Sequence, residues 1–212
     1  VLAWTGASAV HAIGHSMGGI ALSILAHRED PRLRSVATVA SALDYSGTES
    51  VFHAARRMLW MTRIVPVVPL GPIAATLSPF ALAFPNPLDA VNVWHRNVEV
   101  GRYRRLVALG FHPIPGDVLA DLAACFVRPG IRDGSTPVAI GLPKHTPLTA
   151  LAGSRDVQCT PVAAARHAGG TCRAFGRGHG HAEDFGHFDL LMGTHAPSAV
   201  WPELQGWLES HD

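Results

Sequence analysis

The chain has 212 residues, of which 48% are apolar and 16% charged, and its formal net charge is +1. That length carries one domain with a sizeable core, and that composition excludes a disordered chain. The near-neutral balance gives no electrostatic reason to expect nucleic acid or an anionic membrane surface as a partner.

The opening, "VLAWTGASAV", has no initiator methionine and no signal-peptide pattern, and we expect the chain to be a piece of a longer one. "SAVHAIGH" then runs into an apolar stretch and reads as a buried strand. "MGGIALSILAH" follows with apolar residues at helical spacing. Gly18 and Gly19 fall in its first turn, where tight turning or close packing calls for glycine. The break "EDP" ends that helix, "LRSVATVAS" is a second apolar strand, and "ALDYSG" is a loop.

From about Ser50 to Ser135 the pattern changes. Ile64 to Leu88 carries no charge and is long enough to raise a transmembrane helix. Pro66, Pro69, Pro72, Pro79, Pro85 and Pro87 interrupt it, and each removes a backbone donor, so short broken helices covering a pocket are expected instead. "VGRYRRLVALG" and "PGDVLADLAACFV" read as two further helices, and no clean strand is evident. "TPLTALAGSRD" returns to strand and loop, "TPVAAARHAGG" is a short helix ending at glycine, and "TCRAF" is a short strand. "GRGHGHAEDFGH" is a loop and "SAVWPELQGWLESH" a terminal helix. Cys125, Cys159 and Cys172 are odd in number and lack metal-type spacing, so they are expected as free thiols.

Strands alternating with helices imply a mostly parallel sheet flanked by helices, an α/β fold. Residues 1–48 and 136–212 would form its core, and residues 49–135 a helical cap inserted at the carboxyl ends of the strands, where such sheets bind ligands.

Gly14-His15-Ser16-Met17-Gly18 fits G-x-S-x-G between a strand and a helix. A sharp turn there projects the serine hydroxyl above the sheet, over a helix N-terminus, and the Met17 amide faces a developing oxyanion. Such a serine needs a base, and the base an orienting acid, in the chain order Ser, acid, His. Asp156 lies in the loop right after a strand; Asp44, in the loop after the preceding strand, is the rival acid. His187 leads a glycine-histidine pair into a helix, with His179 and His181 as alternatives in the same loop. His179, His181, Asp184 and His187 also raise a His/carboxylate metal cluster, but their spacing matches no zinc-hydrolase signature, and we expect no metal and no cofactor.

"GHSMGG", "LAGSRD…TP" and "FGHFDLLMGTHAP…VWPELQGWLE" resemble the α/β-hydrolase superfamily. The likeness is closest to its bacterial lipase/esterase-like members related to polyhydroxyalkanoate synthases and acid lipases, and it covers roughly residues 1–48 and 136–212. It implies Ser16 as nucleophile, Asp156 as acid, His187 as base and Met17 as one oxyanion donor. Those synthases carry Cys where this chain has Ser16, which points to hydrolysis. In that family the elbow follows the fifth strand, so the chain is expected to be a C-terminal portion without the first strands and without the loop that donates a second oxyanion amide. His15, beside the serine, and Phe80, in the uncharged stretch, are taken as substrate contacts. The expected substrate is a small ester or lipid-like molecule. The alternatives are an acyltransferase of the same fold and a catalytically incomplete fragment serving as a binding module.

Overall fold

The computed structural model describes residues 1–55, 66–127 and 130–212; Ile64 and Val65 of the uncharged stretch lie outside them. Four strands form one sheet: β1 (Val10–His15), β2 (Leu33–Val39), β3 (Leu148–Gly153) and β4 (Arg173–Phe175), all parallel and in the spatial order β1-β2-β3-β4. Apolar runs make this possible. Parallel strands need crossover connections that lay helices on the sheet, so inner strands are buried on both faces. The last five residues of β2 are all buried, as is most of β3, whereas β1, at the edge, is mostly half-buried. The expected α/β architecture is the one observed.

Around the sheet run α1 (Met17–His27), α2 (Leu70–Leu77), α3 (Pro87–Asn92), α4 (Val100–Leu109), α5 (Gly116–Ala124), α6 (Pro161–His167), α7 (Asp189–Met192) and α8 (Ala196–Glu209). Helix α1 packs on β1 and β2, α6 on β3, and α8 on α7 and β2. Buried Ser23 joins α1 to α6: its Oγ donates to the Gly19 carbonyl at 2.7 Å and lies 3.0 Å from His167 Nε2.

Two apolar clusters organise the interior. The larger centres on the sheet, with Val36, Val39, Leu151, Phe175, Phe185, Leu190 and Val200, and it takes in Cys125 and Ile131. The smaller consists of Ala81, Val93, Val98, Tyr103 and Val107, with Phe111, Phe188 and Met192 packed against it. Two short antiparallel ladders differ from the expectation of no strand between Ser50 and Ser135: Val67–Val68 with Ile114–Pro115, and Arg132–Asp133 with Thr136–Pro137. The first closes where the chain enters and leaves the helical region, the Gly116 amide donating to the Pro66 carbonyl at 2.8 Å. Pairing of only two residues leaves no periodic pattern to read in a sequence. The three cysteines are free thiols.

The register sets the position of the site. His15 pairs with Val39, Val39 with Leu151, and Leu151 with Arg173, so β1 and β2 end together and β3 and β4 run two residues further in the same direction. The segments that follow, beginning at Ser16, Ala40, Ser154 and Gly176, therefore emerge at one end of the sheet.

Candidate active site

The turn from β1 into α1 is a single residue. Ser16 has φ 52 and ψ −123. A side chain with a Cβ adopts a positive φ only where its surroundings impose it. Here the Ser16 amide donates to the Val39 carbonyl at 2.9 Å, and its carbonyl accepts from the Gly19 amide at 3.0 Å and from Ser41 Oγ at 2.7 Å. A Cβ at Gly14 would sit 2.7 Å from the Gly18 carbonyl oxygen, and one at Gly19 only 2.2 Å from Ser41 Oγ. At Gly18 a Cβ would meet nothing within 4 Å. The glycines this turn requires are thus Gly14 and Gly19; Gly18, the last fixed position of the G-x-S-x-G pattern, is under no such constraint. Ser41 is what the pattern does not show: it stands 25 positions downstream and its hydroxyl fastens the elbow to the end of β2.

The strained serine is left poised. Ser16 Oγ makes no hydrogen bond among the described residues, and the Met17 amide, first in the 11-residue helix α1, donates to no acceptor there. A free N–H at a helix N-terminus is a ready donor to an anionic oxygen.

Asp156 follows β3 by three residues. Its Oδ1 accepts from the amides of Gln158 (2.8 Å) and Cys159 (2.9 Å), which leaves Oδ2 for His187 Nδ1 at 2.9 Å. Both side chains are buried, at 2% and 0% exposure for His187 and Asp156. Three N–H donors converge on this one buried carboxylate and fix its orientation. The bond to Nδ1 leaves His187 Nε2 as the nitrogen free to exchange a proton.

His15 joins this pair to the elbow. Its Nε2–H donates to the His187 carbonyl at 3.0 Å, and its ring lies 4.7 Å from that of His187 and 5.1 Å from that of Phe188. Burial, then the neighbouring His187, push its pKa down to about 4, so it is neutral at pH 7. Its hydrogen bond thus serves the backbone at His187.

The remaining positions sort by their partners. Asp44, the rival acid, accepts from the Ser46 amide at 2.8 Å and faces Arg166 at 3.5 Å, so no hydrogen bond links it to His187. His181 stacks on Phe175, with ring centroids 4.9 Å apart, and His179 lies in a one-turn 3-10 helix at Arg177–His179. Asp184 accepts from Ser154 Oγ (2.7 Å) and the Arg177 amide (3.0 Å). Phe80 ends a 3-10 turn at Ser78–Phe80 and is 59% exposed. Burial raises the thiol of Cys125 to about 12 and that of Cys159 further, so neither supplies a thiolate near neutrality.

Sequence reasoning passed over four residues on the far side of His187: Trp94, Asn97, Gln158 and Asp189. Gln158 Nε2 donates to the Val91 carbonyl at 3.0 Å and to Asn92 Oδ1 at 3.2 Å. Buried Asp189 accepts from the amides of Gly186 and Trp94 and from Asn97 Nδ2, each at 3.0 Å. The only sequence signal was an acidic residue two places after His187.

No known protein family profile matches the chain, and no curated protein matches it in sequence. Solved structures do. A hydrolase from Pseudomonas aeruginosa PA01 is 16% identical with a TM-score of 0.52, over 98% of this chain and 67% of its own. A monoacylglycerol lipase from Paleococcus ferrophilus is 18% identical with a TM-score of 0.53, over 100% of this chain and 72% of its own. A thermophilic esterase from Thermogutta terrifontis is 17% identical with a TM-score of 0.50, over 99% of this chain and 68% of its own. The chain therefore has the α/β-hydrolase fold, and it spans about two thirds of the length of these structures.

Proposed function

We propose that this chain carries the catalytic residues of a serine hydrolase that cleaves carboxylic esters through an acyl-enzyme on Ser16. The observation that carries the reading is the buried His187 Nδ1–Asp156 Oδ2 bond of 2.9 Å, tied by the 3.0 Å bond from His15 Nε2 to the His187 carbonyl to the residue before Ser16, which is held at φ 52 between a strand and a helix. The names of the solved structures that share the fold, a lipase and an esterase among them, support it.

In the proposed cycle His187 Nε2 accepts the Ser16 hydroxyl proton as Oγ attacks the ester carbonyl carbon. The carbonyl oxygen becomes an oxyanion held by the Met17 amide. His187 then gives its proton to the departing alkoxide, which leaves as alcohol and completes the ester on Ser16. Water repeats the steps, transferring a proton to His187 and releasing the acid and free Ser16. Asp156 holds the His187 tautomer and offsets its positive charge while the proton is aboard. Unlinked hydroxyl and imidazole suit this scheme, since such contacts often tighten only in the substrate complex. In the same reading residues 49–135 act as the cap, with uncharged segments bordering an apolar acyl site.

A fluorophosphonate probe, which phosphonylates activated serines, tests this. The folded wild type is expected to label at Ser16, and Ser16→Ala not at all. Asp156→Asn should label on the order of 10⁴-fold more slowly, the loss typical when this carboxylate is removed. Absence of labelling in a cooperatively folding wild type would leave the elbow unactivated and defeat the proposal.

A further inference from the structure

We propose that Asp189 is the positioning residue of the base loop, and that it fastens His187 to the strap formed by residues 91–97. This rests on the reading of His187 as the base. The Asp189 side chain lies at the meeting point of two chain segments. On one side is Gly186, the residue before His187, whose amide donates to both carboxylate oxygens at 3.0 Å. On the other are the Trp94 amide, 3.0 Å from Oδ1, and Asn97 Nδ2, 3.0 Å from Oδ2. Asp189 and Asn97 are both fully buried. Three N–H groups converge on one carboxylate out of reach of water, so each bond is charge-assisted and none is easily replaced.

The strap touches the rest of the catalytic set as well. The Phe188 amide donates to the Asn92 carbonyl at 2.9 Å, so both neighbours of His187 are tied to it. Gln158, whose own amide binds Asp156, reaches the Val91 carbonyl at 3.0 Å. Trp94 Nε1 donates to Glu183 at 3.1 Å, and the Arg155 guanidinium lies 5.0 Å from the Trp94 ring centroid. Acid loop and base loop are thus held against one strap, with the Asp189 carboxylate as its buried anchor. The approach is close enough to demand glycine at 186: a Cβ there would stand 2.7 Å from the Trp94 nitrogen and 2.8 Å from Asp189 Oδ1. A ring that must hand a proton between Oγ and the leaving group tolerates displacements well below 1 Å, which is why its backbone is tied on both sides.

The test compares wild type, Asp189→Asn and Asn97→Ala by the rate of fluorophosphonate labelling at Ser16, by thermal unfolding, and by the downfield proton resonance of His187 Nδ1–H. Asp189→Asn keeps the shape but leaves one acceptor oxygen for three donors. Labelling is expected to slow ten-fold or more well below the unfolding temperature, with the resonance shifted or broadened. Asn97→Ala, which leaves the Gly186 and Trp94 bonds in place, should slow it two- to five-fold and keeps the test open if Asp189→Asn does not fold. Variants that unfold earlier yet label at the wild-type rate with an unchanged resonance would make Asp189 a stability element only and overturn the inference. A wild type that does not label at Ser16 would instead remove the active-site reading, and the role of Asp189 with it.

Discussion

At the scale of single residues, the elbow separates what a sequence pattern names from what the backbone needs. G-x-S-x-G fixes Gly14 and Gly18, yet only Gly14 and Gly19 have backbone or Ser41 where a side chain would go. Gly18→Ala is therefore expected to fold and to label as wild type. It should be more stable by up to about 1 kcal/mol, because alanine in a helix restricts the unfolded chain and glycine does not. Gly19→Ala drives a methyl into Ser41 Oγ and the Gly14 carbonyl, and forces apart the contacts that hold Ser16 at positive φ. It should cost about 1–3 kcal/mol, as overpacking does, and slow labelling beyond what the lower stability explains. Thermal unfolding and labelling rates of the two variants side by side check this; equal behaviour would show that the turn is not held by that contact.

At the scale of elements, the strands and the long helices were legible because each carries its own period. The run from Val10 to His15, the turn at Ser16 and helix α1 are continuous in the chain, and so are β3 and the loop that presents Asp156. The bond between Asp156 and His187 was anticipated from the chain order of an α/β sheet, whose strands present their following loops at one end. The strap was not legible. Asp189 meets Asn97 across 92 positions and Trp94 across 95, and neither partner belongs to a periodic segment. His15 likewise gave no sign that it would bond the backbone of residue 187. The uncharged stretch shows the reverse case, since composition identified it but not its orientation. Ile73, Leu77, Phe80, Phe84 and Leu88 are all exposed, and Asp89, the first carboxylate after the stretch, is buried. In the proposed function this apolar surface borders the acyl site, and Phe80→Asp tests that at little structural cost, because an exposed position typically changes stability by less than about 0.5 kcal/mol. Hydrolysis of long-chain esters should fall several-fold while that of acetyl esters holds; equal loss on both would detach this surface from acyl recognition.

At the scale of the whole molecule, burial of histidines makes the fold acid-sensitive in a defined window. His15 and His167 are both pushed down to about 4, chiefly by desolvation. Folded values below the ordinary 6.5 mean that the native state prefers the neutral rings. Their contribution is whole above pH 6.5 and is lost as the pH falls towards 4, at about 1.4 kcal/mol per unit. At pH 5 that is roughly 2 kcal/mol each. Asp189 runs the other way. Burial raises it from 3.8 to about 6 against the pull of its N–H donors, so its contribution is whole below 3.8 and lost as the pH rises through 6. Going from pH 7 to pH 5 therefore returns roughly 1.5 kcal/mol. Asp30, held at about 2 by Arg32, and Asp184, lowered by Ser154, complete their titration below this window. The balance is a loss of roughly 2–3 kcal/mol between pH 7 and pH 5, a large part of the 5–15 kcal/mol typical of a domain. Urea unfolding at the two pH values should show it as a lower midpoint at pH 5 with an unchanged slope. His167→Gln, which keeps a donor for Ser23 but cannot take a proton, should recover about 2 kcal/mol of that difference. A midpoint equal at both pH values in the wild type would mean that the buried rings are not the groups that set acid stability.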